Sequence, residues 1–84
     1  MSLEKYRAEL DGIDTKMLEL FQERMQVVRD IAEYKKKNHT AVLDKSRERR
    51  ILMRIYNEAK ENMGRPSVAL FRTIIEQQAL STLL

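Results

Sequence analysis

The 84-residue chain is 43% hydrophobic and 35% charged with a net charge of +3, a composition typical of one small globular domain. Two glycines and one proline are too few for a β-rich fold, which needs turn residues roughly every 8–12 positions. The lack of cysteine excludes disulfides and thiolate metal sites, and no apolar run reaches the roughly 18 residues of a membrane span. Since no charged-then-apolar leader opens the sequence, we expect one cytoplasmic domain over residues 1–84 with no membrane partner.

The first predicted helix covers residues 2–38, a stretch without proline. It would be roughly 55 Å long at 1.5 Å per residue, whereas a domain of this size has a radius of gyration of about 12 Å. A coiled-coil-like seam with unbroken 3-4 spacing runs along it: Leu3, Tyr6, Leu10, Ile13, Met17, Leu20, Arg24, Val27, Ile31 and Tyr34. The length and the seam together predict that a second chain covers this helix.

The second and third predicted helices cover residues 44–62 and 66–83. Asp44 is a natural N-cap for the second helix. Gly64 suits the C-terminal stop of the second helix, and Pro66 suits the first turn of the third. The predicted fold class is therefore all-α, with three helices of which the first is very long.

Ionisable side chains interrupt the apolar stripe of the first helix at four positions: Arg7, Asp14, Arg24 and Lys35. Such groups are costly to bury unless each meets a partner or a ligand. Ion pairs within the bundle, side chains that reach solvent at the edge of the stripe and a buried polar group that fixes the register of a coiled coil are structural interpretations. Contact with a ligand is the functional one. Residues 35–54 contain eight Lys/Arg against two acidic residues, a local charge of +6, which favours an anionic partner without identifying it.

The first turn of the second helix carries a further polar group, Asp44, Arg47 and Glu48. The free N–H groups of a helix N-terminus bind anions or hydroxyl oxygens, although a capped and solvated charged turn has the same composition. No spacing of His, Asp and Glu suggests a metal, and no glycine-rich loop suggests a nucleotide phosphate. No nucleophile lies in phase with the single histidine. We therefore expect neither a cofactor nor a metal.

Five segments of the sequence, taken in their order and spacing, carry a resemblance that covers essentially the whole chain. They are residues 6–14 (YRAELDGID), 23–24 (ER), 31–35 (IAEYK), 44–49 (DKSRER) and 71–76 (FRTIIE). Together they resemble the all-helical class of chorismate mutase. The resemblance implies an intertwined homodimer of three-helix protomers and an isomerase that needs no cofactor. Its reaction is the pericyclic rearrangement of chorismate to prephenate in phenylalanine and tyrosine biosynthesis.

The resemblance also implies roles for side chains of the first two helices. Arg24 and Arg7 of the partner subunit would clamp the two carboxylates of chorismate, with Arg47 supporting the anion site. Lys35 would donate to the ether oxygen. Seventeen residues separate Arg7 from Arg24, which is roughly 25 Å along a straight helix, so one small ligand cannot touch both arginines of the same chain.

The remaining roles fall at the start of the second helix and on the third. Glu48 and the backbone around Asp44 would bind the ring hydroxyl. The family usually has Gln or Glu, as a second donor to the ether oxygen, where this chain has Thr82. Gln78 lies one turn earlier on the same helix face, and we expect its longer side chain to replace part of the missing donor, with reduced activity as a consequence.

Three other functions fit the sequence. An isochorismate-pyruvate lyase of the same fold would use the same cationic pocket, and a silent or regulatory mutase-like domain would follow from the change at Thr82. A basic helical module could bind nucleic acid through residues 35–54. We do not expect nucleic acid as the partner, because Arg24 lies on the apolar seam rather than on that patch and aromatic residues for base stacking are few.

Overall fold

The structure is a computed structural model that describes residues 2–83, so the ends of the predicted domain at Met1 and Leu84 lie outside the described residues. The elements are α1 (Leu3–Lys37), α2 (Lys45–Glu58), a short 3-10 helix (Glu61–Met63) and α3 (Gly64–Leu83). Residues 2–83 contain no strand. The prediction of an all-α fold with three helices and a very long first helix is confirmed.

Helix α1 extends over 35 residues because side chains satisfy the backbone at both of its ends. At the N-terminus, Oγ of Ser2 accepts a hydrogen bond from the backbone N–H of Lys5 at 3.2 Å. At the C-terminus, Nδ2 of Asn38 donates to the carbonyl oxygen of Tyr34 at 2.8 Å, and His39 has a left-handed φ of 54° that turns the chain out of the helix. The helix lies one residue inside its predicted range at each end.

Helix α2 begins where the sequence places its cap and ends earlier than predicted. Oδ1 of Asp44 accepts a hydrogen bond from the backbone N–H of Arg47 at 3.0 Å, which is N-cap geometry. The helix ends at Glu58 rather than near residue 62, because Ala59 and Lys60 both adopt an extended ψ of 140°. The residues between this break and α3 form the 3-10 turn.

The prediction that Gly64 stops the second helix was wrong. Gly64 has helical angles, φ −58° and ψ −56°, and is the first residue of α3. A Cβ at this position would lie 3.0 Å from a ring carbon of Tyr56. The glycine therefore permits close approach of the Tyr56 ring to the start of α3, and no left-handed turn is involved. Pro66 lies in the first turn of α3, as expected.

The three helices bury only part of α1. Helices α2 and α3 pack along each other, and α1 packs against α3. The buried side chains within residues 2–82 all lie from residue 25 onward: Met25, Ala32, Ile51, Ile75 and Thr82. Every residue from 2 to 20 is exposed, and the radius of gyration of 16.0 Å exceeds the roughly 12 Å of a compact chain of this length. A single protomer thus leaves the N-terminal half of α1 uncovered.

None of the helices within residues 2–83 has the length and hydropathy needed to cross a membrane.

Candidate active site

A cleft of about 560 Å³ lies between the C-terminal half of α1, the start of α2 and the C-terminal part of α3. The loop that joins α1 to α2 closes one end of it. Its apolar walls come from all three helices and include Leu20, Val27, Val28, Ile31, Ala32 and Ile51. Its polar side chains are Glu23, Arg24, Lys35, Asp44, Arg47, Glu48, Gln78 and Thr82. Seven of the eight residues predicted for the site therefore line one cavity.

Arg24 is partly buried in the middle of this cleft. Its Nη1 donates a hydrogen bond to Oε1 of Gln78 on α3. Among the described residues, no carboxylate lies within 4.0 Å of its guanidinium. Burial lowers the pKa of Arg24 from its ordinary value, and the positive charges of Arg47 and Arg54 lower it further. Because arginine titrates far above neutrality, Arg24 stays charged and most of its donors remain available to a ligand.

Lys35 reaches the cleft from the last turn of α1. Its Nζ donates to the carbonyl oxygen of Val42 at 3.3 Å, so the loop before α2 holds the ammonium group at the edge of the cavity. Lys35 also forms no ion pair within 4.0 Å in the described part of the chain. The sequence placed Lys35 on the inward stripe but gave no sign of Val42, because the loop has no periodic pattern.

The first turn of α2 supplies the polar end of the cleft. Asp44 is engaged as the N-cap, and this hydrogen bond from the backbone N–H of Arg47 lowers the pKa of its carboxyl. Loss of hydration opposes that effect, and the positive charge of Lys35 adds to it. Glu48 has a side chain only 21% exposed and forms an ion pair with Lys45 at 3.6 Å. Two of the three carboxylates of the cleft are therefore already engaged, whereas none of its three cations has a carboxylate partner within 4.0 Å among residues 2–83.

Gln78 and Thr82 face the cleft from α3, four residues apart. The Thr82 hydroxyl donates to the carbonyl oxygens of Gln78 at 3.1 Å and Ala79 at 3.2 Å, and the residue is only 9% exposed. The hydroxyl is thus directed to the backbone of its own helix. Gln78 contacts the Arg24 guanidinium instead.

Arg7 is the predicted site residue that the structure does not bring to the cleft. It lies in the uncovered half of α1, where its side chain is 63% exposed and pairs with Glu4 at 3.4 Å. Since α1 is one continuous helix from Leu3 to Lys37, the roughly 25 Å between Arg7 and Arg24 cannot close within one protomer.

The arrangement combines a largely apolar cavity with hydrogen-bond donors from all three helices. Sites for small organic ligands typically have this volume and this mixture of surfaces. Two arginines and a lysine that pair with no carboxylate in the described part of the chain favour a small anion with several acceptors. Within residues 2–83, no group of three or more His, Asp and Glu side chains is placed to hold a metal ion.

Sequence reasoning missed two features of the cleft. Ala32, which is buried, and Ala79 line the cleft, although alanine gives only a weak signal in a hydropathy pattern. Glu23, next to Arg24, lines the cleft although its helix position lies beside the predicted stripe.

Comparison with known proteins gives two matches. The family model described as chorismate mutase type II matches residues 6–79. A curated relative, the bifunctional chorismate mutase/prephenate dehydratase of Buchnera aphidicola subsp. Schizaphis graminum (strain Sg), is 33% identical over 78 residues, which is 90% of this chain and 20% of the relative. The chain thus spans about a fifth of that relative's length. No solved structure matches at a significant level.

Proposed function

We propose that this chain, which belongs to the chorismate mutase type II family of isomerases through the model that matches residues 6–79, rearranges chorismate to prephenate. The proposal rests on this membership and on the cleft. The observation that carries the proposal is the presence of Arg24, Lys35 and Arg47 in one cavity, each without a carboxylate partner among the described residues. Such free cations match the two carboxylates and the ether oxygen of the substrate.

Arg24 is the proposed anchor of one substrate carboxylate. Its planar guanidinium can form two parallel hydrogen bonds to a carboxylate, which fixes the orientation as well as the position of the ligand. Arg47, whose charge already acts on Arg24, would add to the positive potential at that end of the cleft. Holding the flexible substrate in its chair-like reactive conformer lowers the entropic part of the barrier.

Lys35 is the proposed donor to the ether oxygen. That oxygen gains negative charge as its bond to the ring breaks, while a new C–C bond forms between the methylene carbon of the enolpyruvyl side chain and the ring carbon that carries the carboxylate. A donor already fixed in place stabilises this developing charge more than it stabilises the ground state. The contact with the Val42 carbonyl supports the proposal, because it restrains an otherwise mobile ammonium group.

Glu48 and the start of α2 are proposed to bind the ring hydroxyl. A carboxylate that is 21% exposed accepts a hydrogen bond at a lower desolvation cost than one in the deep interior. The neighbouring helix N-terminus offers backbone N–H groups to the same oxygen. Asp44 contributes through the turn that it caps, and Thr82 through the wall of the cavity.

We propose further that two chains form an antiparallel homodimer through α1. The uncovered half of that helix exposes a row of large apolar side chains, among them Leu3, Tyr6, Leu10, Ile13 and Met17. A surface of this kind is typical of an interface. In an antiparallel pair, Arg7 of the partner subunit would approach the cleft and supply the second carboxylate clamp.

The wider biological role rests on the same proposal. The relative's name combines a chorismate mutase with a prephenate dehydratase, and this chain covers 20% of that protein, so the comparison concerns a mutase-sized segment. A place in phenylalanine and tyrosine biosynthesis and a cytoplasmic location remain predictions. Isochorismate-pyruvate lyase activity is the principal alternative, and a nucleic-acid module is less well supported because Arg24 and Lys35 face an apolar-walled cleft.

The proposal is tested by incubating the purified chain with chorismate and following the ultraviolet absorbance of the substrate, with product identification by NMR. We expect prephenate, and we expect Arg24→Ala to lower kcat/KM by about 10²-fold or more. Arg29→Ala is the matched control, because Arg29 is an exposed arginine of α1 that contacts Gln26. Release of pyruvate from isochorismate without prephenate formation from chorismate would replace the mutase proposal by the lyase alternative.

A further inference from the structure

The contact between Arg24 and Gln78 constrains both side chains. A guanidinium group carries five N–H donors and no acceptor, so only the carbonyl oxygen of the Gln78 amide can face it. That is the hydrogen bond found, from Nη1 of Arg24 to Oε1 of Gln78. The orientation of the Gln78 amide is therefore set by Arg24, and its NH₂ group must point to other partners.

The NH₂ group of Gln78 has no acceptor among the described residues. Among the described residues, the side chain of Gln78 forms one hydrogen bond, in which its Oε1 accepts from Arg24. Buried polar side-chain atoms without a partner are absent from the described residues, so Nε2 lies where solvent or a ligand can reach it. The neighbouring Thr82 hydroxyl is bonded to backbone carbonyl oxygens and is not free to donate to a ligand in this conformation.

A neutral acceptor suits Arg24 better than a carboxylate would. Arg47 and Arg54 already act on Arg24 by charge repulsion. An acidic residue at position 78 would relieve this repulsion by forming an ion pair with Arg24. Such a pair would neutralise the charge that an anionic ligand needs. An amide oxygen restrains the guanidinium and leaves that charge available.

We infer that Gln78 has two tasks: it positions the guanidinium of Arg24 for the substrate carboxylate, and it presents its own NH₂ group to the substrate's ether oxygen. This inference rests on the proposed mutase function. It assigns to one residue of α3 a positioning role that acts through Arg24 and a direct donor role, and it makes the hydroxyl of Thr82 dispensable as a donor.

The test uses the full chain with Gln78→Met, Gln78→Glu and the control Gln77→Met. Methionine keeps the length and the helix propensity of glutamine but removes both polar atoms, and Gln77 is an exposed neighbour on the same helix. Circular dichroism verifies that the variants fold. We expect Gln78→Met to raise KM, because Arg24 loses its restraint, and to lower kcat by about 10²-fold, because a transition-state donor is lost. The control should stay within about twofold of wild type.

Gln78→Glu gives a signature that a merely structural residue would not. Its carboxylate cannot donate and would also neutralise the charge of Arg24, so kcat/KM should fall at neutral pH and recover as the pH is lowered and the new carboxyl is protonated. A pH profile parallel to that of the wild type would overturn the donor role.

A readout independent of turnover is the NMR signal of the Arg24 guanidinium. Restrained N–H groups in the wild type that become mobile in Gln78→Met, but not in Gln77→Met, support the positioning role. Unchanged kinetics and unchanged Arg24 signals in Gln78→Met overturn the inference while wild-type turnover keeps the mutase proposal. If the wild type does not convert chorismate, the mutase proposal and the donor role are both wrong. The Arg24 signals then still test whether Gln78 restrains the guanidinium.

Discussion

At the scale of single residues, the partly buried Arg24 is the most informative feature of the chain. A charged group on an apolar seam is costly to bury, and within residues 2–83 Arg24 meets one amide oxygen rather than a carboxylate. The sequence alone indicated that Arg24 is unusual, because a charged residue there occupies a position of the 3-4 spaced seam that is otherwise apolar. It could not distinguish an internal ion pair from a ligand site, since that depends on which side chains of α2 and α3 come within reach.

Asp44 gives a prediction about pH at the same scale. Its carboxyl has a lowered pKa in the folded chain, chiefly through the hydrogen bond from the backbone N–H of Arg47. A group whose folded pKa is depressed stabilises the fold above its unfolded pKa of about 3.9, and this contribution disappears as the pH falls through the lower folded value. Asp44→Asn keeps the N-cap oxygen but cannot titrate. We therefore expect wild-type stability to fall relative to that of Asp44→Asn below about pH 4.

The measurement is urea unfolding of both proteins between neutral and strongly acidic pH. Asp11→Asn is a control that removes a carboxylate of α1 which caps no helix. Parallel loss of stability in the wild type and in Asp44→Asn through the acidic range would contradict the prediction.

At the scale of the elements, the sequence predicted what local chemistry decides and missed what tertiary contact decides. The cap at Asp44 follows from residue type and position. The end of α2 does not, because Ala59 and Lys60 are good helix formers that nevertheless adopt extended angles. Gly64 looked like a terminator, yet it serves the packing of Tyr56 against the start of α3. A contact between two helices of this kind leaves no trace in a one-dimensional pattern.

The junction between α2 and α3 yields a second stability prediction. Replacing a glycine with helical angles by alanine normally stabilises a protein by about 0.4–1 kcal/mol, because the unfolded chain loses freedom. At Gly64 the new methyl group would lie 3.0 Å from the Tyr56 ring, so the ring must shift. We expect Gly64→Ala to be neutral or destabilising in the wild type but stabilising in a Tyr56→Ala background, with a coupling energy of at least about 0.5 kcal/mol.

The control for this cycle is Gly12→Ala in α1, where a Cβ meets nothing within 4 Å. That substitution should stabilise by about 1 kcal/mol, the difference in helix propensity. Thermal or urea unfolding of the four cycle members and the control gives all the values. If Gly64→Ala changed the free energy of unfolding equally in both backgrounds, the Tyr56 ring would not be the reason why glycine is favoured at position 64.

At the scale of the whole molecule, the fold and the proposed site are incomplete in the same place. Residues 2–20 are all exposed in a single protomer, and Arg7, the site residue outside the cleft, lies within that stretch. The length of the first helix and its apolar seam predicted, from sequence alone, that one protomer would leave part of this helix uncovered. One antiparallel partner would satisfy both needs, because it covers the apolar face and moves a second arginine toward the cleft.

Subunit exchange tests this shared arrangement. Arg7→Ala and Arg24→Ala homodimers should each be nearly inactive, because every site lacks one carboxylate clamp. A heterodimer of the two variants has one doubly damaged site and one intact site, which joins Arg24 of one chain to Arg7 of the other. Random exchange of an equal mixture should therefore recover about one quarter of wild-type activity.

The matched control mixes Arg24→Ala with Lys35→Ala. Both residues line the same chain's cleft, so every site stays damaged and no activity returns. Persistent inactivity of the Arg7→Ala and Arg24→Ala mixture, after mass spectrometry has shown that the subunits exchanged, would place each site within a single chain.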